Sequence, residues 1–438
     1  LSSKPPIYEP LLVGRIPSPV VKCSIRNGND SMATHSALSA DTIDVYNPDN
    51  YLNGIPHREF AWLRENAPVF WHRHPDGGGY WVVSKHADVM KVARDHKTFS
   101  AQKGFVMVDD LAPDILERTQ SQLLGMDPPD HGPIRRAVIT HFTRGMLAEL
   151  EPKVHSIAQG IVQSARDKTD TDFIESLACE LPTAVICSML DIPEDMWEQI
   201  RHWSDLQTAG SDPDLGGSPE AIQQASIEMG TYGFELAVER KSSGGNDLIC
   251  QLLESEVDGH TVSEVDFASL FIQLTVAGNE TTRGLISSGM LELVQRPELY
   301  HQLEADAKGL PLAIEEMLRW TCPLHYFRRT ATCDTEIRGT KIAEGDRVVM
   351  MYSSANFDED EFQNPMEFDI TRAHNPHMAF GYGIHLCLGA NLARMETRLF
   401  FEEFFKTFKS IELNGTPAQI RSNSINGYKR MPVTLTAR

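Results

Sequence analysis

One cysteine of this chain lies in a glycine-rich loop that could hold an ionised sulfur. The loop covers residues 380–389 and has the sequence F-G-Y-G-I-H-L-C-L-G. Gly381, Gly383 and Gly389 would permit positive φ angles and a close approach of the backbone to a flat ligand. An amphipathic helix is predicted to begin next to Cys387, and the positive end of its dipole would favour thiolate over thiol. The segment therefore predicts a prepared thiolate.

A second stretch places a carboxylate beside a hydroxyl in the middle of a long predicted helix. Helical periodicity runs over residues 263–295, with Thr261 or Ser263 as the N-cap. Near the middle, the sequence A-G-N-E-T-T contains Glu280 and Thr281, and its small residues leave space beside the helix. A threonine hydroxyl can bond a carbonyl of the preceding turn and loosen the helix there. Taken alone, the tract also fits a solvent-facing acid beside a helix-packing glycine.

A possible ion pair and an aromatic segment precede the cysteine loop. Glu316 and Arg319 are three residues apart, so they share one face of a predicted helix. Such a pair contributes only a few tenths of a kcal/mol (about 0.3) if it is exposed. The segment Phe368–Arg372 follows it in the chain. Neither feature indicates a function by itself.

Imidazole and guanidinium groups occur at three further places. His131 and Arg135 lie four residues apart at the start of a predicted helix, so they share a face. Arg328 and Arg329 are adjacent in an F-R-R-T-A segment, and His385 lies within the cysteine loop. Each of these residues alone would also fit an ordinary surface position.

In this order and spacing, the motifs resemble those of the cytochrome P450 family, the haem-thiolate monooxygenases. The resemblance extends from near Asp44 to the C-terminus, and the cysteine loop is its most specific part. It implies a haem b cofactor, iron protoporphyrin IX, with Cys387 as the axial ligand of the iron. The residues Phe380, Gly381 and Gly389 would then lie against the cofactor.

The resemblance also assigns roles to the acid, the alcohol and the ion pair. Thr281 would hydrogen-bond oxygen at the haem, and Glu280 would relay protons from solvent. Cleavage of an O–O bond needs protons in a site that is otherwise apolar and dry, and an acid beside an alcohol can deliver them. An axial thiolate assists the same cleavage by releasing electron density. Glu316 and Arg319 would form a buried structural network with Arg372 that fixes the chain before the cysteine loop.

The haem propionates need cations or hydrogen-bond donors when they lie inside a protein. The resemblance assigns these contacts to His131, Arg135, Arg329 and His385. Arg328 is left without a role.

The substrate implied by the resemblance is apolar, because the chain is similar to bacterial members that hydroxylate steroid side chains, terpenoids or linear alkyl chains. Residues 102–113 form a predicted loop with apolar side chains that a solvated loop would not need, so we expect it over a substrate pocket. The predicted pocket residues are Phe105, Met107, Val108, Leu274, Val276, Ala277, Leu324 and Phe327.

The implied reaction inserts one atom of O₂ into an unactivated C–H bond and reduces the other atom to water. The sequence contains no cysteine cluster or dinucleotide-binding fingerprint that would indicate a fused electron-transfer module. Separate donors are therefore expected, a ferredoxin and an NAD(P)H-dependent ferredoxin reductase. An acidic ferredoxin would need a basic patch near the cysteine, for which Arg136, Arg144 and Arg394 are candidates.

Three other functional classes fit these residues less well. A peroxide-driven haem-thiolate peroxygenase would be expected to lack the pair of Glu280 and Thr281, and a non-catalytic haem sensor or carrier would not need it. A hydrolase with Cys387 as nucleophile and His385 as base is disfavoured, because side chains two apart in an extended loop lie about 6–7 Å from each other.

The elements that must position these residues are mainly helical, with a minor β part. The pattern predicts a β-hairpin near the N-terminus, a helical region over residues 130–314, later strands that complete the sheet, and short strands after residue 411. The predicted helices outside the long central one include 56–67, 146–168 and 193–208. The predicted strands are 69–72, 80–83, 334–342 and 347–352.

Composition fits one large globular domain. The chain has 438 residues, 41% of them hydrophobic, and a formal net charge of −21, which disfavours binding to nucleic acid or anionic membranes. Its apolar stretches fall short of the roughly 20 residues that span a bilayer, so no membrane anchor is predicted. Seven scattered cysteines without metal-site spacing favour a reducing cytoplasm.

The N-terminal stretch is predicted to differ from the rest of the chain. It carries five prolines within residues 1–30 and shows no periodicity, so residues 1–40 are predicted to form a disordered leader. The haem-thiolate domain would then cover residues 41–438. Met32 is a candidate for the natural start of the protein.

Overall fold

Helices form most of the computed structural model, which describes residues 38–209, 212–245, 248–257 and 259–438. Ala40–Arg438 forms one compact unit. The predicted leader, apart from its last three residues, lies outside the described part of the chain, as does Met32. The helices are α1 (His57–Asn66), α2 (His86–Arg94), α3 (Pro113–Gln120), α4 (His131–Ile139), α5 (Arg144–Ser164), α6 (Glu180–Met189), α7 (Trp197–Ala209), α8 (Pro219–Ser243), α9 (Leu248–Glu254), α10 (Glu264–Gln295), α11 (Pro297–Ala305), α12 (Leu310–Thr321), α13 (Tyr352–Ala355) and α14 (Ala390–Thr407).

The long central helix is α10, which has 32 residues and is therefore about 48 Å long. Its N-cap is Ser263, whose hydroxyl accepts from the Asp266 N–H at 3.1 Å while the Asp266 carboxylate accepts from the Ser263 N–H at 3.0 Å. This reciprocal capping box selects Ser263 over Thr261 as the cap. Every residue from 282 to 291 is buried, since α6, α7, α8, α12 and α14 pack around the helix. The predicted central helix is thus confirmed.

Two of the other predicted helices match closely, and one begins late. α1 and α5 lie within a few residues of the segments predicted for them. The helix predicted from Pro193 instead begins at Trp197. Pro193 has an extended backbone, with φ −56° and ψ 143°, and precedes a 3₁₀ turn over Glu194–Met196. The proline therefore caps the turn and is not the first residue of the helix.

Five strands form the main sheet in the order β1-β2-β10-β7-β3, where β2 and β10 are parallel and the other neighbours are antiparallel. The predicted N-terminal hairpin is present as β1 and β2, with Val69 opposite Val83 and Arg73 opposite Gly79. The strands of this sheet are β1 (Val69–Arg73), β2 (Gly79–Val83), β3 (Phe99–Ser100), β7 (Tyr326–Ala331) and β10 (Arg347–Met351).

The prediction for the later strands was partly wrong. β10 does complete the sheet, but the segment predicted over 334–342 forms a separate hairpin. The central strand β7 was not predicted as a strand, because its buried residues include Arg328 and Arg329 and its apolar residues do not alternate. The remaining strands are β4 (Asp170–Asp172), β5 (Glu256–Val257), β6 (His260–Thr261), β8 (Thr335–Ile337), β9 (Thr340–Ile342), β11 (Phe408–Leu413), β12 (Ala418–Gln419), β13 (Tyr428–Arg430) and β14 (Pro432–Ala437).

Candidate active site

A large cavity lies between α10 and the loop that precedes α14. It contains about 1410 Å³ of space that no atom fills, part of which opens to solvent. Pockets for a single small ligand usually have about 300–1,000 Å³, so this cavity has room for more than one molecule. Leu274, Ala277 and Thr281 on α10 line it, and Cys387 in the loop lines it as well. The fold therefore brings the two sequence motifs to one cavity.

Two glycines give the cysteine loop its shape. Gly381 and Gly383 have φ angles of 69° and 75°, in the left-handed region that favours glycine. A Cβ at Gly383 would lie 2.4 Å from the backbone oxygen of Ala93, so no side chain fits there. Gly389 differs from the prediction, since its φ is −82°. A Cβ at Gly389 would meet no protein atom within 4 Å, but the residue lines the cavity, and its missing side chain leaves that space open.

The Cys387 sulfur faces the cavity and is surrounded by protein on its other sides. The loop is closed by a hydrogen bond from the Cys387 N–H to the carbonyl of Phe380 at 3.0 Å. α14 begins at Ala390, slightly later than predicted, and the N–H groups of Gly389 and Ala390 interact with the sulfur. The sulfur therefore lies at the positive end of the α14 dipole.

The predicted preference for thiolate is not provided by the protein alone. Burial raises the pKa of the Cys387 thiol, and the opposing influence of Gly389, Arg135, Arg394 and Ala390 is smaller. A bound metal cation lowers the pKa of a coordinating thiol and displaces its proton. The loop thus supplies a ligand whose ionisation depends on the metal.

Several buried polar groups near the loop have no hydrogen-bond partner in the described chain. They are Nε2 of His131, both ring nitrogens of His385, and Nδ1 of His96. The rings of His131 and His385 are 4.6 Å apart. Arg329 is buried too, and its guanidinium donates to the Arg328 carbonyl at 2.7 Å rather than to a carboxylate. Buried polar groups of native proteins are usually paired, so these side chains indicate a ligand that accepts hydrogen bonds.

The two histidines are neutral in this environment. Burial, followed by the charge of Arg135, lowers the pKa of His131 to about 4. Burial, followed by the charge of Arg329, lowers the pKa of His385 to about 2. Neutral imidazoles can still donate one hydrogen bond each, and Arg329 supplies positive charge. This set fits the carboxylates of haem propionates, which is the cofactor that the cysteine loop implies.

Arg135, the remaining predicted propionate contact, lies on the cavity wall near the cysteine. Its guanidinium donates to the carbonyl of Leu386 at 2.5 Å, and burial lowers the pKa of Arg135 while Cys387 acts in the opposite direction. His96, in contrast, was not predicted. It lies 35 residues before His131, and no local motif marks it.

Thr281 and Glu280 have different surroundings. The Thr281 hydroxyl donates to the Ala277 carbonyl at 2.7 Å, as the sequence predicted, and lines the cavity. Glu280 is only 1% exposed and does not line the cavity. Its carboxylate accepts hydrogen bonds from Arg283, one of them at 3.2 Å from Nε. The acid is therefore neither on the surface nor in contact with the space beside Thr281.

Arg283 connects Glu280 to the outside of the protein. Its Nη1 donates to Asp205 on α7 at 2.9 Å, and the Asp205 side chain is 28% exposed. Burial raises the pKa of Glu280, and the charge of Arg283 opposes this effect. Glu280, Arg283 and Asp205 thus form a polar chain from partly exposed α7 to the middle of α10.

The predicted structural network surrounds Glu316 on α12. Arg319 donates to both carboxylate oxygens of Glu316, at 2.8 and 2.7 Å, and Arg372 donates to the same carboxylate at 3.0 Å. Glu316 and Arg319 are completely buried. Both arginines also bind the carbonyl of Glu367, and the Asp369 N–H donates to Glu316 at 2.9 Å. The network therefore ties α12 to the chain that leads into the cysteine loop.

The eight predicted pocket residues divide into two groups. Leu274, Ala277, Leu324 and Phe327 line the cavity. The other four do not, and these are Phe105, Met107, Val108 and Val276.

The first three of these belong to a loop held by Arg328. Its guanidinium donates to the carbonyls of Val108 and Asp109 at 2.9 and 2.8 Å, and to the Asp110 carboxylate at 2.7 Å. Val108 is then buried in the core, and Met107 is 40% exposed. Val276 lies one residue, about 100° of helix rotation, before Ala277 and packs against the core instead.

Sequence reasoning missed part of the cavity wall. Leu270 and Gln273 could have been found, since they lie on the same helical face as Leu274 and Ala277. Leu124, close to α4, and Ile186 on α6 come from distant parts of the chain and carry no local signal.

None of the helices in the described segments has the length and apolar character needed to cross a membrane.

Comparison with known proteins agrees with the cysteine-bearing cavity. The family model of cytochrome P450 matches residues 235–426. A steroid C26-monooxygenase of Rhodococcus jostii is 38% identical over 439 residues, which cover 98% of this chain and 91% of that protein. A methyl-branched lipid omega-hydroxylase of Mycobacterium tuberculosis is 39% identical over 386 residues, covering 86% of this chain and 90% of that protein.

Solved structures show the same similarity. A Mycobacterium marinum cytochrome P450 in complex with pseudoionone has a TM-score of 0.84 and 34% identity, covering 91% of this chain and 100% of that chain. A Bacillus megaterium cytochrome P450 in complex with testosterone has a TM-score of 0.76 and 28% identity, covering 87% and 99%. The chain therefore belongs to the cytochrome P450 family. It is an oxidoreductase of the monooxygenase type that acts on apolar substrates.

Proposed function

We propose that the protein binds haem b through Cys387 and hydroxylates an unactivated C–H bond of a steroid, terpenoid or alkyl-chain substrate. O₂ would be the oxidant, and a ferredoxin with its NAD(P)H-dependent reductase would supply two electrons. The observation that carries the proposal is the shared cavity, which is lined by Cys387 and Thr281 and adjoins unpaired buried donors. The names of the steroid and lipid hydroxylases to which the chain is similar support the substrate class.

The cofactor would be held from two sides of its chemistry. Cys387 would bind the iron, with Phe380, Gly381 and Gly389 lying against the porphyrin. His131, Arg329 and His385 would bind the propionates, and Arg135 would add positive charge beside the loop. When bound, the haem would supply the activation of O₂ and the transfer of one oxygen atom to carbon.

Thr281 would position a proton donor on the cavity wall. Because its hydroxyl hydrogen is donated to Ala277, the lone pairs of its oxygen are available to accept a hydrogen bond from a water molecule. Glu280 would act as the proton reservoir, with the chain through Arg283 and Asp205 as its connection to solvent. Delivery requires Glu280 to exchange its contact with Arg283 for one with the water beside Thr281. The apolar wall formed by Leu274, Leu324 and other residues would exclude bulk water.

The electron donor would bind beside the cysteine loop. A surface groove between α5, α12 and α14 is lined by Arg144, Arg394 and Arg398, together with Glu151 and Glu315. Two of the arginines that the sequence suggested for ferredoxin binding therefore lie in one groove, although Arg394 also pairs with Glu315 at 2.5 Å. A location in the cytoplasm, where such donors are found, fits the described cysteines, which form no disulfide.

The decisive experiment is the absorption spectrum of the ferrous carbon monoxide adduct of the purified protein. We expect the band of a thiolate-ligated haem in the wild type, loss of that band in Cys387→His, and no change in Cys333→Ser, which alters an exposed cysteine elsewhere. A wild-type protein that binds no haem, or whose adduct absorbs like that of a histidine-ligated haem, would exclude the proposal.

Turnover experiments would then define the oxidant and substrate. Steroids, terpenes and fatty acids are screened for a substrate-induced change of spin state, followed by product analysis with O₂ and donors. Equal activity with hydrogen peroxide alone would instead indicate a peroxygenase.

A further inference from the structure

Gln273 is a polar residue in an otherwise apolar part of the cavity wall. It lies on α10, and its neighbours on the wall are Leu124, Ile186, Leu270 and Leu274. An amide among aliphatic side chains costs free energy when a ligand covers it without offering a hydrogen bond. The hydrogen bonds that Gln273 already makes therefore decide what ligand it favours.

The orientation of the amide follows from its contacts. The backbone N–H of Leu124 can only donate, and it points to Oε1 of Gln273 at 3.2 Å, so Nε2 lies on the other side of the amide. Nε2 makes a long contact of 3.4 Å with the Ser269 carbonyl, which belongs to α10 itself. An amide nitrogen carries two N–H groups, and among the described residues no further acceptor contacts Nε2. One N–H of Gln273 is therefore available to a ligand in the cavity.

The distance from Gln273 to the reaction centre is set by the helix. Gln273 precedes Thr281 by eight residues on α10, which corresponds to about 12 Å along the helix axis. Both side chains line the same cavity. A substrate that reaches from Thr281 to Gln273 must therefore be elongated.

Charge distinguishes the kinds of oxygen that this N–H could bind. The charged groups of the cavity wall are Arg135, Arg329 and Glu396, and the wall residues beside Gln273 are aliphatic. Arg135 bonds the backbone of the cysteine loop, and Arg329 belongs to the cluster with His131 and His385. A carboxylate beside Gln273 would be buried without a cation, which is unfavourable.

We propose that Gln273 is a specificity-determining residue that donates a hydrogen bond to a neutral substrate oxygen, a ketone or a hydroxyl, about 12 Å from the oxidised carbon. This inference rests on the proposed hydroxylase function. It narrows the substrate class to elongated apolar ketones and alcohols, such as oxygenated steroids or terpenoids, in preference to free fatty acids.

The test uses the haem-loaded protein and four straight-chain ligands with equal numbers of carbon atoms. They are a methyl ketone, a primary alcohol, an alkane and a fatty acid, and binding is followed by the change of spin state. We compare the wild type with Gln273→Met, which keeps a long unbranched side chain but removes the N–H donor.

The wild type should bind the ketone and the alcohol more tightly than the alkane or the acid. Gln273→Met should weaken ketone binding about tenfold and leave alkane binding unchanged or slightly improved. Oxidation of the ketone should also spread over more carbon positions in the variant, because the fixed end of the molecule is lost.

Other outcomes would overturn the inference. Equal losses for ketone and alkane would assign Gln273 a structural role through its contact with Leu124, and an unchanged ketone affinity would exclude the hydrogen bond. Both results leave the hydroxylase function intact. If no apolar ligand changes the spin state of the wild type, or none is oxidised, the proposed function and the inference fail together.

Discussion

At the scale of single residues, burial and orientation decide what a side chain can do. Thr275 and Thr281 lie on the same helix, and each donates its hydroxyl to the carbonyl four residues earlier at 2.7 Å. Thr281 lines the cavity, whereas Thr275 is fully buried between α10 and Met229 of α8. Equal local geometry thus occurs in two different environments, which provides a matched pair for experiments.

Replacement of Thr281 by alanine should uncouple electron use from product formation. The variant loses the oxygen that would hold a proton-donating water, so the yield of product per NAD(P)H should fall about tenfold or more. The measurement is the ratio of product formed to NAD(P)H consumed. Thr275→Ala is the control, since it removes the same helix contact away from the cavity and should keep the coupling of the wild type. Unchanged coupling in Thr281→Ala would speak against proton delivery at this site and would favour a sensor or carrier.

At the scale of elements, the cysteine loop depends on how α12 holds the chain before it. Glu316 receives hydrogen bonds from Arg319, Arg372 and the Asp369 N–H, and the same two arginines bind backbone carbonyls of this chain segment. Exposed ion pairs contribute little, but removal of one partner from a buried network leaves unpaired charges behind. The network therefore couples helix packing to the position of Cys387.

Replacement of Glu316 by glutamine should lower the free energy of unfolding by about 3–5 kcal/mol, because two buried guanidinium groups lose their counter-charge. Haem content should fall as well. Glu402→Gln is the control. Glu402 pairs with Arg398 on α14 at 2.9 Å in a partly exposed position, and its loss should cost less than about 1 kcal/mol. Chemical denaturation and the haem absorbance per protein are the measurements. Similar effects of both variants would show that the network has no special role.

At the scale of the whole molecule, a net charge of −21 contrasts with the local arginines of the groove near α14. Long-range repulsion would slow the approach of an acidic ferredoxin, and a local basic surface would direct it to the cysteine side. Electron transfer should therefore depend on individual charges in this groove more than on the total charge.

Charge reversal of Arg144 to glutamate should slow reduction by an acidic ferredoxin about tenfold at low ionic strength. The difference from the wild type should shrink as salt is added, since exposed charges are screened. Stopped-flow reduction of the haem at increasing salt concentration measures the effect. Lys241→Glu is the control, because Lys241 pairs with Glu264 at the start of α10, far along the helix from Thr281. Equal rates for the wild type and the Arg144 variant would exclude the groove as the binding surface.

Features encoded by local spacing were predictable. The long central helix, the hairpin of β1 and β2, and the pairing of Glu316 with Arg319 follow from periodicity over a few turns or a few residues. β7 was missed because Arg328 and Arg329 are buried by partners from the distant segment 105–110. The pocket prediction failed at Val276 for a related reason, since periodicity shows a helical face but not which face turns toward the cavity.

The sequence by itself determined the kind of site: a cysteine between glycines that only positive φ angles allow, an alcohol on a long capped helix, and an acid three residues from an arginine. Tertiary structure alone decided that Glu280 turns to Arg283 instead of the cavity, that His96 joins His131 and His385, and that Gln273 keeps a free N–H toward the substrate space. The reason is physical. Backbone conformation and short-range contacts depend on neighbours in the chain, whereas burial, pairing and the direction of a side chain depend on atoms that only packing brings together.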